Sequence, residues 1–365
     1  MSCFNIGGDC SVGRGGDDRR GMAGRGGCPA GLGIIGIPRA QRHAAAARQW
    51  TAPAATSPAG PSRSGDQTVR STPITVRVRK AVLPAAGFGT RFLPASKAVP
   101  KEMMPLVDRP IIQYAVEEAV ASGIEQIVIV IATGRSAIED HFDSNHNLER
   151  WLEDRGDIEM LRTIRRISEF GTVAFVHQRE QLGLGHAVLM AKDLVGQEPF
   201  AVLLSDDVML NPGGEPITKQ LIDAHVAHRG AVVAVQRVDP DEVSRYGIID
   251  PLHEEGRLVE IRDLVEKPKR EDAPSDLAVL GRYVLTPKIF DVLEQTARGA
   301  GGEIQLTDAL RGLIREQPVF GYQFEGTRHD AGTRLGWLKA NVAMGLESDD
   351  ADGFRSYIRG LDLRD

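Results

Sequence analysis

From Val76 as far as Leu346 the chain alternates short apolar, β-branched runs with longer amphipathic ones. The runs Val76–Pro84, Ile124–Ala132, Gly171–His177, Phe200–Leu204, Ala231–Val238, Leu258–Val265, Val279–Leu285 and Val319–Phe324 read as strands. Between them Pro110–Ser122, Arg135–Gly156, Gly185–Val195, Pro216–His228, Pro287–Gln295, Leu306–Glu316 and Thr333–Leu346 read as helices. The first of these has Asp108 as its cap, Pro110 in its first turn and Gly123 as its stop. Strands joined through helices form βαβ units, so the fold expected is α/β: a Rossmann-like mixed, mostly parallel sheet flanked by helices on both faces. Such a sheet binds ligands beyond the carboxyl ends of its strands, and those ends are where chemistry is to be sought.

The segment before this pattern is different in kind. Fourteen of the first 74 residues are Gly, and Pro, Ser, Thr and Ala fill much of the rest. Such a stretch buries too little apolar surface to offset its ordering entropy, so it is expected to be disordered and to take no part in the chemistry. It carries nine Arg, no Lys and four Asp, a charge of +5, which leaves −11 on the remainder. An acidic body argues against a nucleic-acid polymer as partner, because phosphate neutralisation along a duplex needs clustered cations. All three cysteines (Cys3, Cys10, Cys28) lie in this segment, so no thiol of the body can be nucleophile or metal ligand. A reducing cytoplasm fits that usage. Arg and Ala near Arg39–Arg48 have something of a transit peptide, against which Asp9, Asp17 and Asp18 count. No uncharged apolar run is long enough to span a membrane. The domains expected are residues 1–74 as an extension, 75–348 as the catalytic unit and 349–365 as a C-terminal helical tail.

The first strand ends in Ala85-Ala-Gly-Phe-Gly-Thr-Arg91, whose Gly87 and Gly89 permit a tight turn with N–H groups close to a phosphate chain. Phe92 stands where a dinucleotide fingerprint needs its third glycine, and no GxxxxGK[ST] occurs, so a nicotinamide dehydrogenase and a P-loop enzyme are both disfavoured. Arg91, Lys97 and Lys101 follow within eleven residues, a cation set suited to a triphosphate, with prolines at 100 and 105 positioning Lys101. A second glycine loop, Gln178 to Ala187, offers the Gln178 amide to a pyrimidine edge while Gly183 and Gly185 allow close approach. His186 there reads as a structural residue at a helix start. Asp206 and Asp207 end a buried strand, where paired carboxylates need a cation. Mg2+ suits Asp206, whereas Asp207 faces the other way along the strand. Glu266 beside Lys267 pairs a hydroxyl acceptor with a phosphate-binding cation. Asp330 precedes the last strong helix, as either its N-cap or a second metal carboxylate. HExxH, GxSxG and Cys/His clusters are missing, which removes zinc hydrolysis and covalent serine chemistry.

Taken in order, Ala85-Ala-Gly-Phe-Gly-Thr-Arg91, Pro100-Lys-Glu-Met103, Gly183-Leu-Gly-His-Ala187, Tyr246-Gly247, Val265-Glu-Lys-Pro268, Gly281-Arg-Tyr283 and Gly302-Glu-Ile-Gln-Leu-Thr-Asp308 resemble the sugar-nucleotide pyrophosphorylases, and among them the bacterial UTP–glucose-1-phosphate uridylyltransferases. The resemblance runs from about Arg79 to about Gly345. It implies that Ala86, Gly87, Gln178 and Gly183 hold uracil and ribose, that Arg91 and Lys101 hold the triphosphate, and that Asp206 holds Mg2+. Gly247, Glu266 and Lys267 would then bind glucose 1-phosphate. Ser205 stands where this family has Pro, and Leu280, beside the sugar site, where it has Val. The implied reaction joins UTP and glucose 1-phosphate into UDP-glucose and pyrophosphate, in a homo-oligomer, a dimer or tetramer. Its rivals are transferases of dTTP or N-acetylglucosamine 1-phosphate, and a nucleotide-binding scaffold without turnover. The hexapeptide repeats of a bifunctional N-acetylglucosamine enzyme are lacking.

Overall fold

The computed structural model describes residues 77–361; the expectations for residues 1–74, their cysteines included, and for Val76 lie outside the described residues. In chain order come β1 (Lys80–Ala85), the short hairpin β2 (Pro105–Leu106) and β3 (Arg109–Pro110), α1 (Ile111–Ala121) and β4 (Gln126–Ala132). Next are α2 (Ser136–Phe142), α3 (His146–Asp154), α4 (Ile158–Ser168), β5 (Thr172–Gln178), α5 (Leu184–Leu189) and α6 (Lys192–Val195). They are followed by β6 (Phe200–Leu203), β7 (Asp207–Leu210), α7 (Ile217–His228), β8 (Ala231–Arg237), β9 (Gly247–Glu255) and β10 (Leu258–Glu266). The chain closes with β11 (Leu277–Leu285), α8 (Lys288–Gln295), α9 (Leu306–Leu313), β12 (Val319–Gln323), β13 (Thr327–Asp330), α10 (Arg334–Gly345) and α11 (Ala351–Arg359).

Nine strands form one mixed sheet in the order β5-β4-β1-β6-β11-β8-β12-β10-β9. The parallel pairing expected from the alternation holds from β5 through β6 and between β8 and β12. The pairs made by β11 with β6 and β8, and by β10 with β12 and β9, are antiparallel. Successive residues of the central strands feed opposite cores. Ala81, Leu83, Ile127 and Ile129 face one layer of helices, while Val82, Val128 and Val130 face the other. Burial on both faces explains why β1, β4 and β11 read as continuous apolar runs.

Several boundaries moved. Asp108 does not cap α1: its carboxylate is engaged by Arg109, and Pro110 occupies the cap position with no side-chain bond. The polar stretch 135–156 is two helices, and a third, α4, follows it with Asp157 accepting the Met160 N–H as cap. The Gly185–Val195 helix is broken into α5 and α6. Strand β9 went unread because Pro251 interrupts it, a residue confined to sheet edges, which is where β9 lies. Among the described residues no helix is long and apolar enough to cross a membrane.

Candidate functional site

A cavity of about 660 Å³ opens beyond the carboxyl ends of β1 and β6. Of the residues singled out in the sequence, Arg91, Asp206, Asp207, Gly247, Glu266, Lys267, Leu280 and Asp330 line it. Lys101, Ala86, Gly87, Gly89, Gln178 and Gly183 are not among its lining residues: Lys101 meets Asp206, and the others belong to the two glycine loops, whose contributions to the lining are Arg91 and Leu184.

The first loop leaves β1 at Ala85. Gly87 is exposed, with nothing within 4 Å of the position a Cβ would take. Gly89 sits at φ +67°, a left-handed conformation costly for other residues, and its carbonyl accepts the Ser96 hydroxyl at 2.7 Å. A Cβ at Gly89 would lie 3.3 Å from that of Lys101, so the glycine lets the Lys101 backbone pack against the loop. Arg91 is exposed at the cavity and has no ion pair among the described residues. Lys101 donates to Asp206 Oδ2 at 2.6 Å. Burial opposes the charge on both groups, yet each holds the other ionised: Lys101 is raised and Asp206 held below the usual carboxylate range.

Next door, Asp207 is already committed. Arg328 contacts its Oδ1 through Nε at 2.8 Å and Nη2 at 2.6 Å, and the Gly281 N–H donates to Oδ2 at 3.2 Å. That leaves Asp206 as the carboxylate available to a ligand. Asp330, the alternative cap of α10, is not one: Thr333 Oγ1 accepts the Gly336 N–H at 3.0 Å in that role. Its carboxylate instead accepts from Gly332 N–H at 3.0 Å and from Arg245 at 2.9 Å. A Cβ on Gly332 would lie 2.8 Å from Asp206 Oδ2 and 3.2 Å from Asp330 Oδ1, so both carboxylates face one small space. Two hard oxygen donors suit Mg2+, which takes most of its shell from water and phosphate. Among the described residues no group of three or more His, Cys, Asp or Glu could make a fuller protein cage.

On the opposite wall Lys267 adopts φ +46°, a strained conformation for lysine, and its N–H donates to the Tyr246 carbonyl at 2.9 Å. Its ammonium rests 2.9 Å from Glu266 Oε1. A side chain at Gly247 would come 3.3 Å from Glu266 Oε2 and 3.1 Å from Thr307 Oγ1, filling the space before that pair. Leu280 is buried at the cavity edge, and Ser205 donates to the Pro84 carbonyl at 3.1 Å, tying the Asp206 loop to β1.

In the second glycine loop the chain itself supplies the reason for the glycines. A Cβ on Gly183 would lie 2.7 Å from Glu303 Cβ and 2.9 Å from the Ile304 carbonyl, to which Gly185 N–H donates at 2.8 Å. Gln178 is buried, and its amide nitrogen lies 2.8 Å from His186 Nδ1 and 3.3 Å from the Gly183 carbonyl. Burial holds the His186 imidazole below its ordinary range, so a neutral ring accepts that bond and serves as a brace.

A family model described as nucleotidyl transferase matches residues 80–345. The chain is 49% identical over 288 residues to UTP–glucose-1-phosphate uridylyltransferase 2 of Staphylococcus saprophyticus, covering 79% of this chain and 99% of that one. It is 49% identical over 286 residues to UTP–glucose-1-phosphate uridylyltransferase of Bacillus subtilis, covering 78% and 97%. The chain belongs to the UTP–glucose-1-phosphate uridylyltransferase family. Solved structures agree. A UDP-glucose pyrophosphorylase complexed with UDP-glucose superposes with a TM-score of 0.69 at 43% identity, covering 74% of this chain and all of that one. The UTP-bound enzyme of Acinetobacter baumannii superposes at 0.73 with 43% identity, covering 78% and 100%.

For a uridylyltransferase of this family, three site residues carried no legible signal in the sequence. Arg328 neutralises Asp207 and donates to the Tyr246 hydroxyl at 3.3 Å, yet it is a lone arginine in a short strand. Arg245, which pairs with Asp330, lies in a polar turn that reads as surface. Glu102 sat within a quoted motif without a role. It is 1% exposed, neither carboxylate oxygen has a hydrogen-bond partner, the Lys101 ammonium lies 3.8 Å from its Oε1, and burial pushes its pKa up to about 7.

Proposed function

We propose that this chain makes UDP-glucose and pyrophosphate from UTP and glucose 1-phosphate in the cytoplasm. The observation that carries the reading is one cavity faced by Arg91, by Asp206 with Asp330, and by the Gly247–Glu266–Lys267 wall. A phosphate oxygen of the sugar attacks the α-phosphorus of UTP; its new bond replaces the one to the departing pyrophosphate. The attacking oxygen is ionised near neutral pH, so no general base is required. The obstacle is repulsion between two polyanions and charge growing on the leaving group. Arg91 forks across triphosphate oxygens, and Lys101 meets the leaving group as a point charge. Ala86, Gly87, Gln178 and Gly183 take the uracil and ribose end. Glu266 accepts from sugar hydroxyls, Gly247 leaves the ring room, and Lys267 attends its phosphate. Mg2+ held by Asp206 and Asp330 supplies further neutralisation of the phosphates when bound.

Leu335, Leu338 and Val342 form an exposed apolar stripe on α10, which supports the expected homo-oligomer. The decisive experiment is a pyrophosphate-release panel of four nucleoside triphosphates against several sugar 1-phosphates, with and without Mg2+. Release with UTP and glucose 1-phosphate, dependent on Mg2+, is expected. Release with dTTP alone would transfer the chain to thymidylyl chemistry, and silence throughout would make it a scaffold.

A further inference from the structure

Behind the Asp206 loop lies an ion pair that no part of the reaction touches. Arg282, on β11, and Glu118, on α1, are 1% and 5% exposed and meet at 2.7 Å. Glu118 Oε2 accepts from Arg282 Nε at 2.9 Å as well, while its Oε1 accepts from the Thr218 N–H at 2.9 Å and hydroxyl at 2.7 Å. The remaining Arg282 donors all go to backbone carbonyls: Leu204 at 3.1 Å, Gly281 at 2.9 Å and Asp207 at 2.8 Å. Two of those three carbonyls, Leu204 and Asp207, bracket the segment that carries Asp206.

A buried charge pair is a poor source of stability, because desolvation consumes most of its Coulomb energy. Three carbonyls on one rigid guanidinium is a geometric device, and lysine's single ammonium cannot reproduce the fork. We propose that Arg282, aligned by Glu118, is a positioning residue for nucleotidyl transfer: it clamps Leu204 and Asp207 from behind so that the intervening Asp206 carboxylate stays aimed at the cavity. The proposal rests on the transferase reading and on Asp206 as the metal carboxylate. Residues that orient a metal-binding group from behind typically change metal affinity or activity by 10–100-fold.

Two variants test it. Arg282→Lys keeps the charge and loses the fork; the Glu118→Met, Arg282→Met double variant replaces the pair with apolar bulk. Each is measured for thermal melting, for Mn2+ binding by electron paramagnetic resonance, for UDP-glucose binding without metal, and for kcat and KM. The expected result is a cooperative melt close to wild type, Mn2+ binding weakened by about tenfold or more, kcat lowered to match, and UDP-glucose binding within about twofold. A folded variant with Mn2+ binding and kcat both unchanged overturns the proposal. So does loss of the melting transition in both variants, which assigns the pair to stability alone. If wild-type protein binds Mn2+ and the variants lose it while no nucleotide pair yields pyrophosphate, the clamp stands and the transferase reading fails.

Discussion

The two walls of the cavity handle charge differently. On the glycine-loop wall Arg91 projects without an ion pair among the described residues, and Lys101 is bound to Asp206, a partner that a substrate or metal can displace. On the carboxylate side Asp207 and Asp330 are held by Arg328 and Arg245, and the Leu204–Asp207 backbone by Arg282. One wall keeps its cations exchangeable; the other spends its cations on fixing carboxylates in place. Neighbouring residues with the same side chain, Asp206 and Asp207, therefore fall into opposite roles.

The sharpest way to break that contrast is to substitute the two aspartates separately. Asp207→Asn leaves the Arg328 charge buried without its partner, and should cost about 3–5 kcal/mol of stability in denaturant melts. Asp206→Ala, whose Lys101 partner is more exposed than Arg328, should lose less stability than Asp207→Asn and should lose turnover by a factor on the order of 10² or more, as should Lys101→Ala, in pyrophosphate-release kinetics. If Asp206→Ala proved the unstable one and Asp207→Asn the silent one, the assignment of the walls would be reversed.

Glu102 sharpens the comparison through pH. Its folded pKa of about 7 stands above the ordinary carboxylate value of 4.5, so its contribution to stability is whole below pH 4.5 and is lost as pH rises through 7. Glu102→Gln removes that loss, and should raise stability by roughly 3 kcal/mol at pH 8 and by little at pH 4.5. An equal gain at both pH values would show that folding does not raise the pKa of this carboxyl. The smallest effect expected is at the sugar wall. Gly247→Ala puts a methyl group before Glu266, and should raise KM for glucose 1-phosphate by about tenfold, or roughly 1.4 kcal/mol, while KM for UTP stays put.

Much of the molecule was legible before any coordinate. Strands such as β4 and β11, apolar along their length, announce a sheet covered on both faces. The glycine loop, Asp206 and Glu266–Lys267 stand out because each is a short run of chemically distinctive residues where a strand, β1, β6 or β10, ends, and Lys101 stands out between two prolines. The antiparallel partners of β11 and the hairpin of β9 with β10 were not legible, since Pro251 and a shifted register erase the alternation.

Sequence alone determined the longer apolar strands, most of the helices and the chemical types gathered at their ends, because period and turn chemistry act over a few residues. Which carboxylate stays available was decided only when residues over a hundred positions apart met. Arg328 reached Asp207, and Arg282 found Glu118. Such pairings leave no local trace, for a lone arginine in a strand looks the same in sequence whether it meets water or a buried aspartate.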